Sequence, residues 1–198
     1  MKAIKTLFKT ICCLILLLVF ILHASACEDL RTERKVTILE PVQHVLDAET
    51  GTNAIGGGSE QILAQTFTIE RNGNLTGIYL PIGCSDGNLE IEIRNVEAGE
   101  PGSTVHSREV FSADDIVRDV SVFQLFSLSS FSVSAGDRLA VVLQNESGSC
   151  GMARGPEGDS YSGGEGFYDA RPNAPGWRPL TIGTGIHDLP FLIVLEAD

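Results

Sequence analysis

The 198-residue chain lacks the features of several protein classes. After residue 26, no segment keeps a 3.6-residue apolar period for three helical turns. Positive charge is scarce, with 14 lysine and arginine residues against 26 acidic ones, and so acidic a chain repels nucleic acid. The one long apolar run, residues 11–22, covers about 12 residues, whereas a membrane-spanning helix needs about 20. A helical domain, a nucleic-acid-binding protein and a permanent transmembrane anchor are therefore disfavoured.

The N-terminal residues have the parts of an export signal. Three lysines within the first nine residues precede the apolar run, and small residues follow it. This order predicts a cleavable signal peptide over residues 1–26. The cysteine that follows resembles the acylated cysteine of a bacterial lipobox, although Ala24 stands where leucine is usual. We expect lipid on Cys27 to anchor the exported chain to a bacterial membrane, in the periplasm or at the cell surface, with secretion as the alternative.

The cysteine count agrees with that expectation. Removal of the signal leaves Cys27, Cys84 and Cys150, and an odd number in an exported protein calls for an explanation. Lipid on Cys27 would leave the other two as a pair. We predict a disulfide between Cys84 and Cys150, which would persist in an oxidising compartment. Two buried free thiols are the alternative.

The mature chain has the pattern of short, half-buried strands. Residues 89–94 alternate leucine or isoleucine with charged side chains, and glycine or proline separates roughly eight or nine such segments. We predict an all-β domain, specifically a two-sheet antiparallel β-sandwich of jelly-roll type, with a closed barrel as the alternative. Residues 27–43 are assigned to a tether and linker, and residues 44–198 to a single domain. The net charge of the mature chain, from residue 27 onward, is 11 minus 26, or −15, because three lysines leave with the signal peptide.

Several motifs, taken in order, resemble those of a bacterial exported module. They are Gln-Thr-Phe-Thr at 65–68, Gly-Asn-Leu-Thr-Gly at 73–77, Leu-Glu-Ile-Glu-Ile-Arg at 89–94, Ser-Ala-Gly-Asp-Arg-Leu at 134–139, Gly-Asp-Ser-Tyr at 158–161 and Pro-Gly-Trp at 175–177. Over roughly residues 44–197 the chain is similar to jelly-roll domains of the "choice-of-anchor" type. The resemblance implies a noncatalytic module displayed at the cell surface, and it implies no particular ligand or catalytic residue.

A long region rich in glycine and aromatic residues, between residues 148 and 185, is where we expect recognition, because long loops in compact domains are often functional. Flat rings with polar neighbours are suited to a glycan, and a surface protein is the other expected partner. Hydrophobic plugging of one end of the sandwich is the alternative role for the rings. The candidate ligand-binding residues are Arg154, Asp159, Tyr161, Tyr168, Asp169 and Trp177.

Signals for cofactors are weak. We predict no cofactor, and Ca²⁺ is the one ion for which the late loops offer oxygen ligands, although no EF-hand loop is present. Its candidate ligands are Asp159, Glu165, Asp169 and Asp188.

Signals for catalysis are also weak. Ser160 lacks the spacing of a nucleophile motif, and a hydrolase would need His106 or His187 beside Asp159, Ser160 or Glu165. Glu90 and Glu92 share a strand face, as a glycosidase pair would, but we expect both to be solvated. We therefore predict a noncatalytic module, with a secreted glycosidase-like or esterase-like hydrolase as the alternative.

Overall fold

The computed structural model describes residues 36–39, 51–171, 173–182 and 185–196. The predicted signal peptide, Cys27 and most of the tether lie outside these residues. The strands are β1 (Val36–Leu39), β2 (Thr52–Gly56), β3 (Gln61–Thr68), β4 (Gly73–Leu80), β5 (Ile82–Asp86), β6 (Asn88–Glu97), β7 (Glu100–Ser112), β8 (Gln124–Val133), β9 (Arg138–Gln144), β10 (Ser149–Ala153), β11 (Gly166–Ala170), β12 (Ala174–Pro179), β13 (Thr181–Ile182), β14 (Gly185–Ile186) and β15 (Leu192–Glu196). Single 3-10 turns lie at Gly57–Ser59 and Ala113–Asp115. Within the described ranges, no helix is long and apolar enough to cross a membrane.

The strands form two antiparallel sheets. Sheet A has the order β1-β15-β4-β8. Sheet B has the order β5-β10-β2-β3-β9-β6-β7, while β11 pairs with β3 and β12 pairs with β11. A separate two-stranded ribbon consists of β13 and β14. The predicted all-β fold and two-sheet β-sandwich are confirmed, and the described strands do not close into a single barrel.

The main core consists of side chains from the inner faces of both sheets. Leu89, Ile91 and Ile93 of β6 are fully buried, because alternate positions of a strand point to the same face. Leu75 and Ile78 of β4 are buried in the same cluster. Full burial of one such side chain contributes about 1.5–3 kcal/mol. Apolar packing between the sheets is therefore the main force that holds the sandwich together.

Cys84 and Cys150 form a disulfide, as predicted. They are register partners in the antiparallel pair of β5 and β10, and both are buried with the main core. The bond links residues 66 positions apart, so in the chain-entropy model it stabilises the fold by roughly 4 kcal/mol.

Asn145 connects this disulfide to the turn that follows β5. Its Nδ2 donates to Cys150 Sγ at 3.2 Å and to the Asp86 carbonyl at 3.0 Å. Gly87 makes the approach feasible, because its φ of +75° suits glycine and a Cβ there would lie 2.6 Å from Asn145 Oδ1. Asn145, the residue after β9, thus fixes the end of β9 to the end of β5.

Candidate functional site

The outer face of sheet B, which points away from the main core, has a charged half and an apolar half. Strand register aligns one row of residues across β7, β6, β9, β3 and β11, namely Arg108, Glu92, Val142, Ala64 and Phe167. The row is charged on β7 and β6 and apolar on the other three strands. This division separates two environments on one face.

The apolar half has its own hydrophobic cluster, with Trp177 packed against it. Ile62, Ala64, Val142 and Phe167 are buried together, apart from the main core. Trp177, on β12, is partly buried on this cluster and keeps part of its indole accessible. Apolar packing on one side therefore holds a ring that can still contact a ligand.

The charged half is built around Glu92, which is fully buried. Its two carboxylate oxygens accept from Arg94 Nε and Arg108 Nε, each at 2.5 Å, and Nη2 of each arginine adds an ion pair. Glu90 accepts a hydrogen bond from Gln144 Nε2 and lies 3.5 Å from Arg108 Nε. The hydrogen bond with Glu92, and then the charge of Glu92, raises the pKa of Arg108.

The expectation that Glu92 is solvated was therefore wrong. A carboxylate so deeply buried is retained only where cations and hydrogen bonds replace water, and Arg94 and Arg108 supply both. Because these partners engage both of its oxygens, Glu92 is an ion-pair centre of the sheet.

A cleft of about 280 Å³ lies at the end of this face, where β3 begins and β9 ends. Ile62 belongs both to the cleft wall and to the cluster under Trp177, so the two features adjoin. The volume of the cleft is near the lower limit for ligand pockets, which suits a sugar unit or another small group. The lining residues are Glu60, Gln61, Ile62, Gln144, Asn145, Glu146 and Arg171.

A buried carboxylate fixes the one arginine of this cleft. Asp169 is 1% exposed and lies opposite Ile62 in the β3–β11 pair. Its Oδ2 accepts from Arg171 Nε at 2.9 Å, while its Oδ1 has no hydrogen-bond partner among the described residues. The side chain of Arg171 is 54% exposed. Asp169 thus orients a guanidinium whose terminal nitrogens remain accessible at the cleft.

The structure separates the predicted aromatic residues into two groups. Trp177 lies on the outer face of sheet B, whereas Tyr161 and Tyr168 pack against the main core. Tyr161 contacts Phe191 edge to face, with ring centroids 5.4 Å apart, and its hydroxyl accepts from the Thr68 amide at 3.2 Å. Burial raises the pKa of Tyr161. The two tyrosines therefore fit the plugging alternative, and Trp177 fits the recognition hypothesis.

The other two candidate ligand-binding residues, Asp159 and Arg154, make no contact with Trp177 among those described. Asp159 is exposed in the loop before Tyr161. Arg154 Nη2 donates to the Thr52 carbonyl at 3.3 Å, beside β2. Of the six predicted ligand-binding residues, Asp169 and Trp177 are the two that the structure brings to the outer face of sheet B.

Asp188 anchors the late loop instead of pointing into a cleft. It is 1% exposed, and it accepts from the backbone amides of Ser160 and Tyr161 and from Gln65 Nε2, each at 3.0 Å. Gln65 Oε1 in turn accepts from the Leu189 amide at 2.7 Å. Burial raises the pKa of Asp188, although these hydrogen bonds oppose the shift.

Neither a metal site nor a hydrolase site is assembled by these side chains. In the ranges described, no group of three or more His, Cys, Asp or Glu side chains is placed to hold a metal ion, so the four predicted Ca²⁺ ligands are not brought together. His106 stacks on Phe131, with ring centroids 5.3 Å apart, and His187 Nδ1 lies 3.4 Å from the Gly155 carbonyl. Those contacts are with a ring and a backbone oxygen, which leaves the hydrolase alternative without geometric support.

None of the seven residues that line the cleft was predicted from the sequence as a ligand-binding residue. Ile62, Gln144 and Arg171 come from three strand ends that are distant in sequence. The alternation of β9 placed Gln144 on the outer face together with Val142, and this was the one signal that the sequence offered. The convergence of the three strand ends depends on how β3 pairs with both β9 and β11.

The fold and the site define a disulfide-bonded β-sandwich with an aromatic and polar surface on one sheet. No protein-family model matches the chain, and no curated protein shows significant similarity to it. The resemblance to choice-of-anchor modules therefore stays a prediction, and a functional proposal has to start from the geometry.

Proposed function

We propose that this protein is an exported, noncatalytic module that binds a glycan on the outer face of sheet B. The observation that supports it best is the position of Trp177, part-exposed on a buried apolar cluster and adjoining a polar cleft. A sugar ring has an apolar face that can stack on an indole, and hydroxyl groups that can bond to planar polar side chains. The cleft supplies amides, carboxylates and a guanidinium for the second task.

A glycan fits this surface better than a protein partner does. A stable protein interface buries about 800 Å² on each partner and has an apolar centre. Beside the cleft of about 280 Å³, the accessible apolar group among the described residues is the indole of Trp177. That size suits one or two sugar units.

Glycan binding is tested with the purified mature chain on a panel of soluble polysaccharides, by affinity electrophoresis and calorimetry. We expect Trp177→Ala to weaken binding about tenfold or more, because it removes the stacking surface. Tyr79→Ala is the matched control, since Tyr79 is a half-buried aromatic on the outer face of sheet A. Circular dichroism and thermal unfolding of both variants report the fold.

Two outcomes contradict glycan binding. One is the absence of binding to every polysaccharide by a folded wild-type chain, and the other is an equal loss in both variants. Capture of a surface protein through Trp177, without glycan binding, would assign the site to the other partner class.

The export part of the proposal is supported by the Cys84–Cys150 disulfide, because such bonds persist outside the reducing cytosol. Lipid on Cys27 would hold the module at a bacterial membrane. Labelled palmitate should be incorporated by the wild-type chain and lost in Cys27→Ser, while Cys84→Ser keeps the label. Palmitate label that remains in the Cys27→Ser variant would contradict lipid attachment at Cys27.

A further inference from the structure

We infer that the cleft beside Trp177 selects a sugar unit that donates hydrogen bonds and has no negative charge, so that acidic glycans are rejected. This inference rests on the proposed glycan binding and deepens it. The inference rests on two properties of the residues that line the cleft. One is their net charge, and the other is their balance of hydrogen-bond donors and acceptors.

The charge of the cleft is negative. Glu60 and Glu146 line it and are exposed, and no ion pair joins either of them to another described residue. Arg171 is the one cationic side chain in the lining, and the buried carboxylate of Asp169 already compensates its charge. A uronate or sulfate group placed there would meet two carboxylates and a single cation, Arg171, whose charge Asp169 already balances.

The hydrogen-bonding groups of the cleft also favour a ligand without negative charge. Asn145 Nδ2 is engaged with Asp86 and Cys150, Gln61 Nε2 with the Ala54 carbonyl at 2.7 Å, and Gln144 Nε2 with Glu90. The side-chain oxygens of Gln61 and Gln144 have no such partner within the described residues. Gln61 and Gln144 each keep one amide N–H beside that free oxygen, whereas Asn145 offers little, because its Oδ1 accepts from the Ser147 amide at 3.2 Å. The two carboxylates only accept, so acceptors outnumber donors in the lining, and Arg171 is the main donor.

An acceptor-rich cleft fits a donor-rich ligand. A sugar hydroxyl donates one hydrogen bond and an amino group donates more, whereas a carboxylate or sulfate only accepts. Neutral and amino sugars therefore match both the charge and the hydrogen-bond pattern. An acidic sugar matches neither, and a specificity of this kind comes from the groups that repel the wrong ligand.

The experiment compares three probes on the mature chain, namely a neutral β-glucan, a chitosan oligosaccharide and polygalacturonate, at low and at physiological salt. We expect the wild-type chain to bind one or both of the first two through Trp177, and polygalacturonate at least about tenfold more weakly. The double variant Glu60→Gln/Glu146→Gln should gain about tenfold in affinity for polygalacturonate relative to its affinity for the neutral β-glucan.

A control separates the local effect from the net charge of the chain. Asp114→Asn/Asp115→Asn removes the same amount of charge from the exposed 3-10 turn, so it should leave the preference unchanged. Equal gains in the two double variants, or wild-type binding of polygalacturonate as tight as of the other probes, overturn the selectivity while Trp177-dependent binding still stands. Absence of Trp177-dependent binding to all three probes contradicts the selectivity, and absence of binding to the whole polysaccharide panel as well contradicts the proposed function itself.

Discussion

Asp169 and Asp188 are equally buried, at 1% exposure each, yet the protein satisfies them differently. Asp188 accepts hydrogen bonds on both oxygens, from Gln65 and from two consecutive backbone amides. Asp169 has one partner, Arg171, and its second oxygen has none in the described part of the chain. Asp188 closes a loop, whereas Asp169 holds a side chain toward a cleft.

The comparison shows how to distinguish a structural carboxylate from one near a binding surface. Buried polar groups in folded proteins are almost always hydrogen-bonded, and a fully satisfied network gives rigidity. A buried oxygen without a partner costs about 1–3 kcal/mol, so Asp169 is expected to contribute less to stability than Asp188 does. The other oxygen of Asp169 holds Arg171, which lines the cleft of the proposed glycan site.

The largest effect on stability is expected from Asp188→Ala. It leaves the amides of Ser160 and Tyr161 and the side chain of Gln65 without their acceptor, and the expected loss is about 3 kcal/mol of unfolding free energy. Asp169→Ala is the matched variant, and it should cost less than about 1 kcal/mol because half-exposed Arg171 can turn to water. Urea unfolding measures both. Equal losses of unfolding free energy in the two variants would contradict the difference between the two carboxylates.

A smaller effect is expected on binding when the cleft arginine is removed. Arg171→Gln deletes the oriented guanidinium, and we expect about fivefold weaker glycan binding with little change in stability. Arg118→Gln is the control, because Arg118 is an exposed arginine beside β5, in a different groove. Isothermal titration of the two variants makes the comparison. Unchanged affinity in Arg171→Gln would remove the functional role of the Asp169–Arg171 pair.

The smallest expected effect is a pH dependence from Asp188. Burial raises its pKa in the folded chain above the ordinary value of 3.8, so the folded state binds the proton more tightly than the unfolded state. Its contribution is fully present below pH 3.8 and is lost as the pH rises through the folded pKa. Relative to Asp188→Asn, the wild-type unfolding free energy should fall from acidic toward neutral pH. A rise over that range would show that the hydrogen bonds outweigh burial.

The sequence predicted the sandwich well because alternation is a local property. The period of two in residues 89–94 marks one buried and one outer face without knowledge of the partner strands. The disulfide was predicted from the cysteine count together with the expected export signal, and neither of these needs any geometry. The 3-10 turn at Ala113–Asp115 is another local feature, because Ser112 Oγ accepts from the Asp114 amide at its start.

The candidate site was predicted in part, because it depends on register between distant strands. Phe167 and Tyr168 are neighbours in sequence, but one lies under Trp177 and the other packs against the main core. Composition marks both as aromatic and cannot say which face each takes. Glu92 was misjudged for the same reason, since Arg108 becomes its partner through the β6–β7 pairing.

The position of the residues that line the cleft determines which substitutions the domain tolerates. Glu60 precedes β3, and Asn145 and Glu146 follow β9, so these three lining residues lie beyond the ends of the strands. In the row across sheet B, register partners lie on both sides of Glu92, Val142, Ala64 and Phe167, whereas loop positions tolerate substitution. Substitution of Glu60 or Glu146 is therefore expected to leave both sheets unchanged, so the proposed selectivity of the cleft would change without a change of fold.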